Sequence, residues 1–159
     1  MRKRSKYRPK GVIMNPMAYL IEGMTPVARH DNFLIDLKIK NHMAMANLTQ
    51  GKATREDMDT LIPMANIVEA LYRMGFGRDY ATEVRGGLDS LHAVGKRGAQ
   101  SGRFILRSEE MRALNTLMEL HDAQMDVITV KDMERAFKIV DDEYKQRRMR
   151  PIVEKGARM

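Results

Sequence analysis

The sequence predicts an all-α fold: a compact bundle of five or six helices with basic, flexible N- and C-terminal arms. Three observations carry that expectation. Helix-start residues recur along the chain, each followed by apolar residues three and four apart. The breaks between these stretches are short and marked by glycine or proline. The positive charge is gathered at the two ends. Positions 1–10 hold six Lys or Arg and no acid, and positions 145–159 hold six more against Glu154 alone. Of the 28 basic and 21 acidic residues, 16 basic and 20 acidic then remain between those ends, so a mildly acidic body carries two strongly basic segments. The expected organisation is a basic arm over 1–10, a helical domain over 11–148 and a basic tail over 149–159.

Asn15 before Pro16 reads as an N-cap with proline at the first helical position, and Gly23 as a stop, which gives a short helix over 16–22. Thr25 and Pro26 then break the chain. Residues 31–50 are ambiguous. Asp31 can cap a helix using Leu34, Leu37, Met45 and Leu48, yet Phe33, Ile35, Leu37 and Ile39 alternate with polar residues as a half-buried strand would. The favoured reading is helix over about 36–49, with extended or helical backbone before it and Gly51 as terminator.

Thr54 with Asp57 resembles a capping box, and Glu56, Asp57 and Asp59 suit the positive end of a helix dipole. Met58, Leu61, Ile62, Ala65, Val68, Leu71 and Tyr72 form the stripe that follows. Pro63 lies inside it and is expected to kink or break the helix. Gly75 and Gly77 end it. A helix over 79–94 uses Tyr80, Val84, Leu88, Leu91 and Val94, weakened by Gly86 and Gly87. Ser108 opens a fifth helix on Met111, Leu114, Leu117, Met118 and Met125. Thr129 with Asp132 opens a sixth on Met133, Phe137, Val140 and Tyr144, which runs into the basic tail before Pro151.

At 159 residues the chain is long enough for one buried core. It has no cysteine, which fits a reducing, cytoplasmic setting and removes disulfides and thiolate chemistry. No apolar run approaches a membrane span, and no signal-peptide core follows the N-terminal charges. Fifteen methionines stand against no tryptophan and nine Phe and Tyr. Met43, Met58, Met74, Met111, Met118, Met125 and Met133 fall at helical spacing among other apolar residues. Core filling is their favoured role, and an adaptable binding groove the alternative. The shortage of large aromatics argues against base stacking.

Residues 95–107 form a third basic stretch, with Lys96, Arg97, Arg103 and Arg107 among Gly95, Gly98 and Gly102. It is expected to be an inter-helix loop with Phe104, Ile105 and Leu106 tucked onto the core. The alternative is a loop whose glycine backbone approaches an anion. It is not a P-loop, because Arg97 follows Lys96 and Ser90 stands where the motif needs glycine. The last two helices can be written as a helix-turn-helix over Asp126–Thr129. But Asp132, Glu134, Asp141, Asp142 and Glu143 would face a polyanion, so an ordinary helical hairpin is preferred. Glu119, His121, Asp122 and Asp126 share one helix, with His42 and His92 elsewhere. No Glu-x-x-His pair exists for a di-iron site. His121 and Asp122 read as polar rim residues. No enzyme, cofactor or metal site is expected.

The segments RSKYRPKG, NPMAYLIEGM, LKIKNH, TQGKATREDMDTL and LHDAQMDVITVKDMERA resemble a family of small proteins of proteobacterial prophages that has no assigned activity. The resemblance covers most of the chain. It implies only the usual roles of small phage proteins: nucleic-acid binding, virion assembly or regulation of host proteins.

Two functions follow. The first is a basic phage-type accessory protein that binds DNA or RNA through phosphates with little sequence specificity. Its candidate residues are Arg2, Lys3, Arg4, Lys6, Arg8 and Lys10, with Lys96, Arg97 and Arg103, and with Lys145, Arg147, Arg148 and Arg150. The second is a protein-interaction module, a virion-assembly factor or host-protein regulator, that sets a Met-rich helical surface against an acidic protein. Homodimerisation is compatible with either.

Overall fold

The computed structural model of the chain describes Met24, Pro26, Val27 and residues 31–146 and 148–152. The expected helix over 16–22, the six cations of the N-terminal arm and Arg147 lie outside the described residues. Five α-helices follow in order: α1 (Asp31–Thr49), α2 (Arg55–Arg73), α3 (Ala81–Ser101), α4 (Ser108–Val127) and α5 (Val130–Lys145), with one 3-10 turn at Arg78–Tyr80. Among the described residues there is no strand, only an isolated bridge between Pro26 and Thr129.

Residues 33–39, which sequence left open, are helical, and α1 begins at Asp31 rather than near residue 36. Strand-like alternation needs a neighbouring strand, and the described residues offer none. As a helix, α1 turns Leu34, Asn41, Ala44, Met45 and Leu48 inward. Phe33, Ile35, Ile39 and Met43 are left outside, so Met43 is not the core residue its spacing suggested.

The α2 start is built as expected. The Asp57 carboxylate accepts the Thr54 backbone N–H at 2.8 Å, and Asn47 of α1 donates to the same carboxylate at 3.1 Å. Burial works to raise the Asp57 pKa, but these hydrogen bonds outweigh it and hold the group below its usual range. The helix runs unbroken through Pro63, which is solvent-exposed. There the carbonyl left without a donor can be hydrated, so the expected break does not occur. α2 touches all four other helices and buries eight residues, which makes it the centre of the bundle.

α3 extends seven residues beyond its expected end at position 94, so much of the predicted 95–107 loop is helix. The glycines that looked like breakers are contact points. A Cβ on Gly98 would lie 2.0 Å from Phe104, and one on Gly95 would lie 2.7 Å from Ile152. Gly102 supplies the stop, at φ +78° with its N–H bonded to the Gly98 carbonyl at 2.8 Å. Phe104 and Leu106 then fold onto the core as expected, while Ile105 stays exposed.

At the start of α5, Thr129 and Asp132 exchange bonds: the Thr129 N–H donates to the carboxylate at 2.9 Å, and the Asp132 N–H donates to the hydroxyl at 3.2 Å. The expected hairpin of the last two helices does not form. α5 packs on α2 and hardly touches α4. The linker residue Ile128 is wholly buried, and its carbonyl accepts the Val27 N–H at 3.0 Å. The described chain thus enters beside the start of α5, and after α5 it turns back onto α3, where Ile152 meets Gly95. The sixteen residues of α5 span about 24 Å.

Two buried clusters share α2. One joins it to α1, α3 and α4 through Leu48, Leu61, Val68, Leu91, Val94, Leu114 and Leu117. The other joins it to α5 through Leu71, Met125, Ile128, Met133 and Ala136.

Candidate nucleic-acid interface

The candidate cations that the structure describes fall into two groups, and most of them already have acidic partners. Arg97 sits on the last turns of α3, half-exposed, and its guanidinium grips Glu110 of α4 at 2.6 and 2.5 Å and donates to the Ile105 carbonyl at 3.0 Å. Glu110 also accepts the Arg107 N–H at 2.9 Å. Burial would raise the Glu110 pKa, but the hydrogen bonds from Arg97 and Arg107, with their charges, pull it below the ordinary value. Arg97 is therefore the pin between the end of α3 and the start of α4. Lys96 and Arg103 make no ion pair among the described residues, and Arg103 is exposed.

The C-terminal group lies at and beyond the end of α5. The Asp141 carboxylate accepts from Lys145 at 2.6 Å, and that bond holds the lysine pKa above its usual value. Arg148 reaches Glu143 at 3.5 Å, and Arg150 reaches Asp89 of α3 at 2.8 Å. Residues 148–152 pack on the bundle where sequence placed the beginning of the basic tail. His92 bonds the Pro151 carbonyl at 3.1 Å, and Ile152 fills the notch above Gly95. Under this segment lies a cavity of about 220 Å³ between α2, α3 and α5. Its floor is apolar, with Ile62, Ala65, Leu88 and Leu91, and its rim carries a chain of paired charges. There Arg73 bridges Glu69 at 2.9 Å and Glu143 at 3.3 Å.

One polar cluster escaped the sequence reading. His121 is not a rim residue, whereas Asp122, part-buried at the edge of α4, is one. His121 is 2% exposed, packed inside the bundle, and its Nδ1 has no hydrogen-bond partner among the described residues. Asp122 bonds His42 of α1 at 2.8 Å and lies 3.8 Å from His121, too far for a hydrogen bond. Lys38 bonds Asp126 at 3.2 Å one turn away. Asn41 is also buried, and its amide nitrogen has no partner among the described residues. Burial pushes the His121 pKa down to about 4; the Asp122 charge opposes that, and Lys38 and His42 add to it. His121 is therefore neutral at pH 7. The pairs Lys38–Asp126 and His42–Asp122 run in opposite directions along the two chains, so α1 and α4 are antiparallel. That long-range register brings the groups together, and nothing local encodes it. Among the described residues no three His, Asp or Glu side chains are disposed to hold a metal ion, and no helix is long and apolar enough to cross a membrane.

Comparison with protein-family models, with curated proteins and with solved structures finds no match to this chain.

Proposed function

We propose that the protein is a small, basic, phage-type accessory protein that binds nucleic acid through its phosphates, with little sequence specificity. The observation that carries this reading is the division of charge: six unopposed cations in the first ten residues and six against one acid in the last fifteen, around an acidic middle. Clustered cations release counterions from a polyanion, and evenly spread ones do so far less effectively. The geometry supports a subdivision of labour among the candidates. Lys96 and Arg103 are open to phosphate, whereas Lys145, Arg148 and Arg150 must exchange an internal carboxylate for it. Arg97 belongs to the fold.

A gel-shift titration tests the reading. Engagement of roughly five phosphates predicts an affinity loss on the order of several hundred-fold between about 50 and 200 mM salt. Absence of binding at the lower salt, or binding indifferent to salt, would sink it.

A second reading, a protein-interaction module, is favoured by one specific observation. α1 has large apolar side chains on two opposite sides, and among the described residues only one of those sides is covered.

A further inference from the structure

Ile35, Ile39 and Met43 are 53%, 50% and 62% exposed and stand four residues apart, so they form one line on the side of α1 turned away from the core. Isolated exposed apolar residues are ordinary, but three in helical register on one helix make a continuous seam. We infer that this seam is a homodimer interface, in which α1 pairs antiparallel with α1 of a second copy about a two-fold axis through Ile39. The inference rests on the interaction-module reading and names its partner.

Charge complementarity selects a second copy and this direction. In an antiparallel pair related by a two-fold axis, the same flank of each helix meets its counterpart. One flank of the seam carries Asp36 and Lys40. With Ile39 opposite Ile39, Ile35 faces the partner's Met43. Asp36 and the partner's Lys40 then lie within about 3 Å of level. The symmetry makes that ion pair twice. The opposite flank carries Lys38 and His42, which Asp126 and Asp122 of α4 already accept, so it brings no unopposed charge to the contact. An acidic protein surface would meet only one cation of the exposed flank and would repel Asp36.

The size fits a weak, specific dimer. The seam and its flanking polar groups offer roughly 500 Å² per copy, so that a pair buries about 1,000 Å², the lower bound for a specific interface.

The absence of cysteine makes the geometry directly testable in the full chain. Under mild oxidation, Ile39→Cys should cross-link to itself, because residues on the two-fold axis of a close helix pair come within disulfide reach. Ile35→Cys alone should stay reduced, but should cross-link when mixed with Met43→Cys. Sedimentation should show the unmodified chain dimerising and Ile39→Lys weakening that at least tenfold. Self-linking of Ile35→Cys as efficient as that of Ile39→Cys indicates a parallel pair and overturns the inference. So does an unmodified chain that stays monomeric to roughly 200 µM. In that monomer, the thiol-labelling rate of Ile39→Cys separates the two levels of the argument. Fast labelling means that the seam is open and the interaction reading survives with a different partner. Slow labelling means that the chain covers its own seam, and both fall.

Discussion

Burial of His121 among the apolar residues of α4 and α1 ties stability to pH in a direction that can be worked out. An unfolded histidine takes up a proton near pH 6.5, whereas the folded one resists until about pH 4. The stability it allows is complete above pH 6.5 and is lost progressively as pH falls from there to about 4, by roughly 3 kcal/mol in all. The groups facing it, Asp122 beside it and Lys38 and His42 from α1, shape this value without reversing its sign. Urea melts at successive pH values should therefore show the midpoint falling between pH 6.5 and 5, and His121→Gln should flatten that segment. A slope unchanged by the substitution would assign the loss to other groups; Glu110 acts only below its ordinary pKa near 4.5. Arg97 and Lys96 make a second residue-scale test, since neighbours on one helix are given opposite roles. Arg97→Ala strands a nearly buried carboxylate and should cost about 1–3 kcal/mol in thermal or urea melts. Lys96→Ala should leave the melt unchanged and weaken binding of duplex DNA severalfold at low salt.

Within elements, the same logic separates two adjacent glycines of α3. A Cβ on Gly86 meets nothing within 4 Å, whereas one on Gly87 would lie 2.8 Å from the Cβ of Leu117. Gly86→Ala should stabilise the protein by about 0.5–1 kcal/mol through helix propensity alone. Gly87→Ala must push α3 from α4 and should destabilise by about 1–3 kcal/mol. Paired chemical denaturation of the two variants, with shifts of opposite sign, is the check. These glycines also mark the limit of what sequence could show. Local signals were legible: Thr129 with Asp132 and Thr54 with Asp57 start their helices because cap and acid are three residues apart. Gly95 and Gly98 were misread because propensity alone disfavours them in a helix. Their reason for being there is Ile152 and Phe104, which only tertiary packing brings near. The register of α1 was hidden for a related reason: a helix apolar on two opposite sides has almost no amphipathic signature. Of the candidate interface, the charge at the ends was legible, but the pairing of Arg97 with Glu110 and of Arg150 with Asp89 required the fold.

For the whole molecule, the basic ends and the seam on α1 make a joint prediction, because pairing multiplies the cations that one bound particle brings to a polyanion. A dimer presents two of each arm, and its second set of phosphate contacts forms at the effective concentration fixed by the first. The salt slope counts phosphates engaged, so on a duplex long enough for both copies the unmodified chain should show about twice the slope of Ile39→Lys. On a duplex that accommodates one copy, the two proteins should bind with the same slope. The added lysine lies on α1, outside the basic candidates, and as an extra cation it can only strengthen single-copy binding. A weaker grip on long duplex alone is therefore attributable to lost pairing. Equal slopes at both lengths would mean that the arms act one copy at a time, whatever the oligomeric state in free solution.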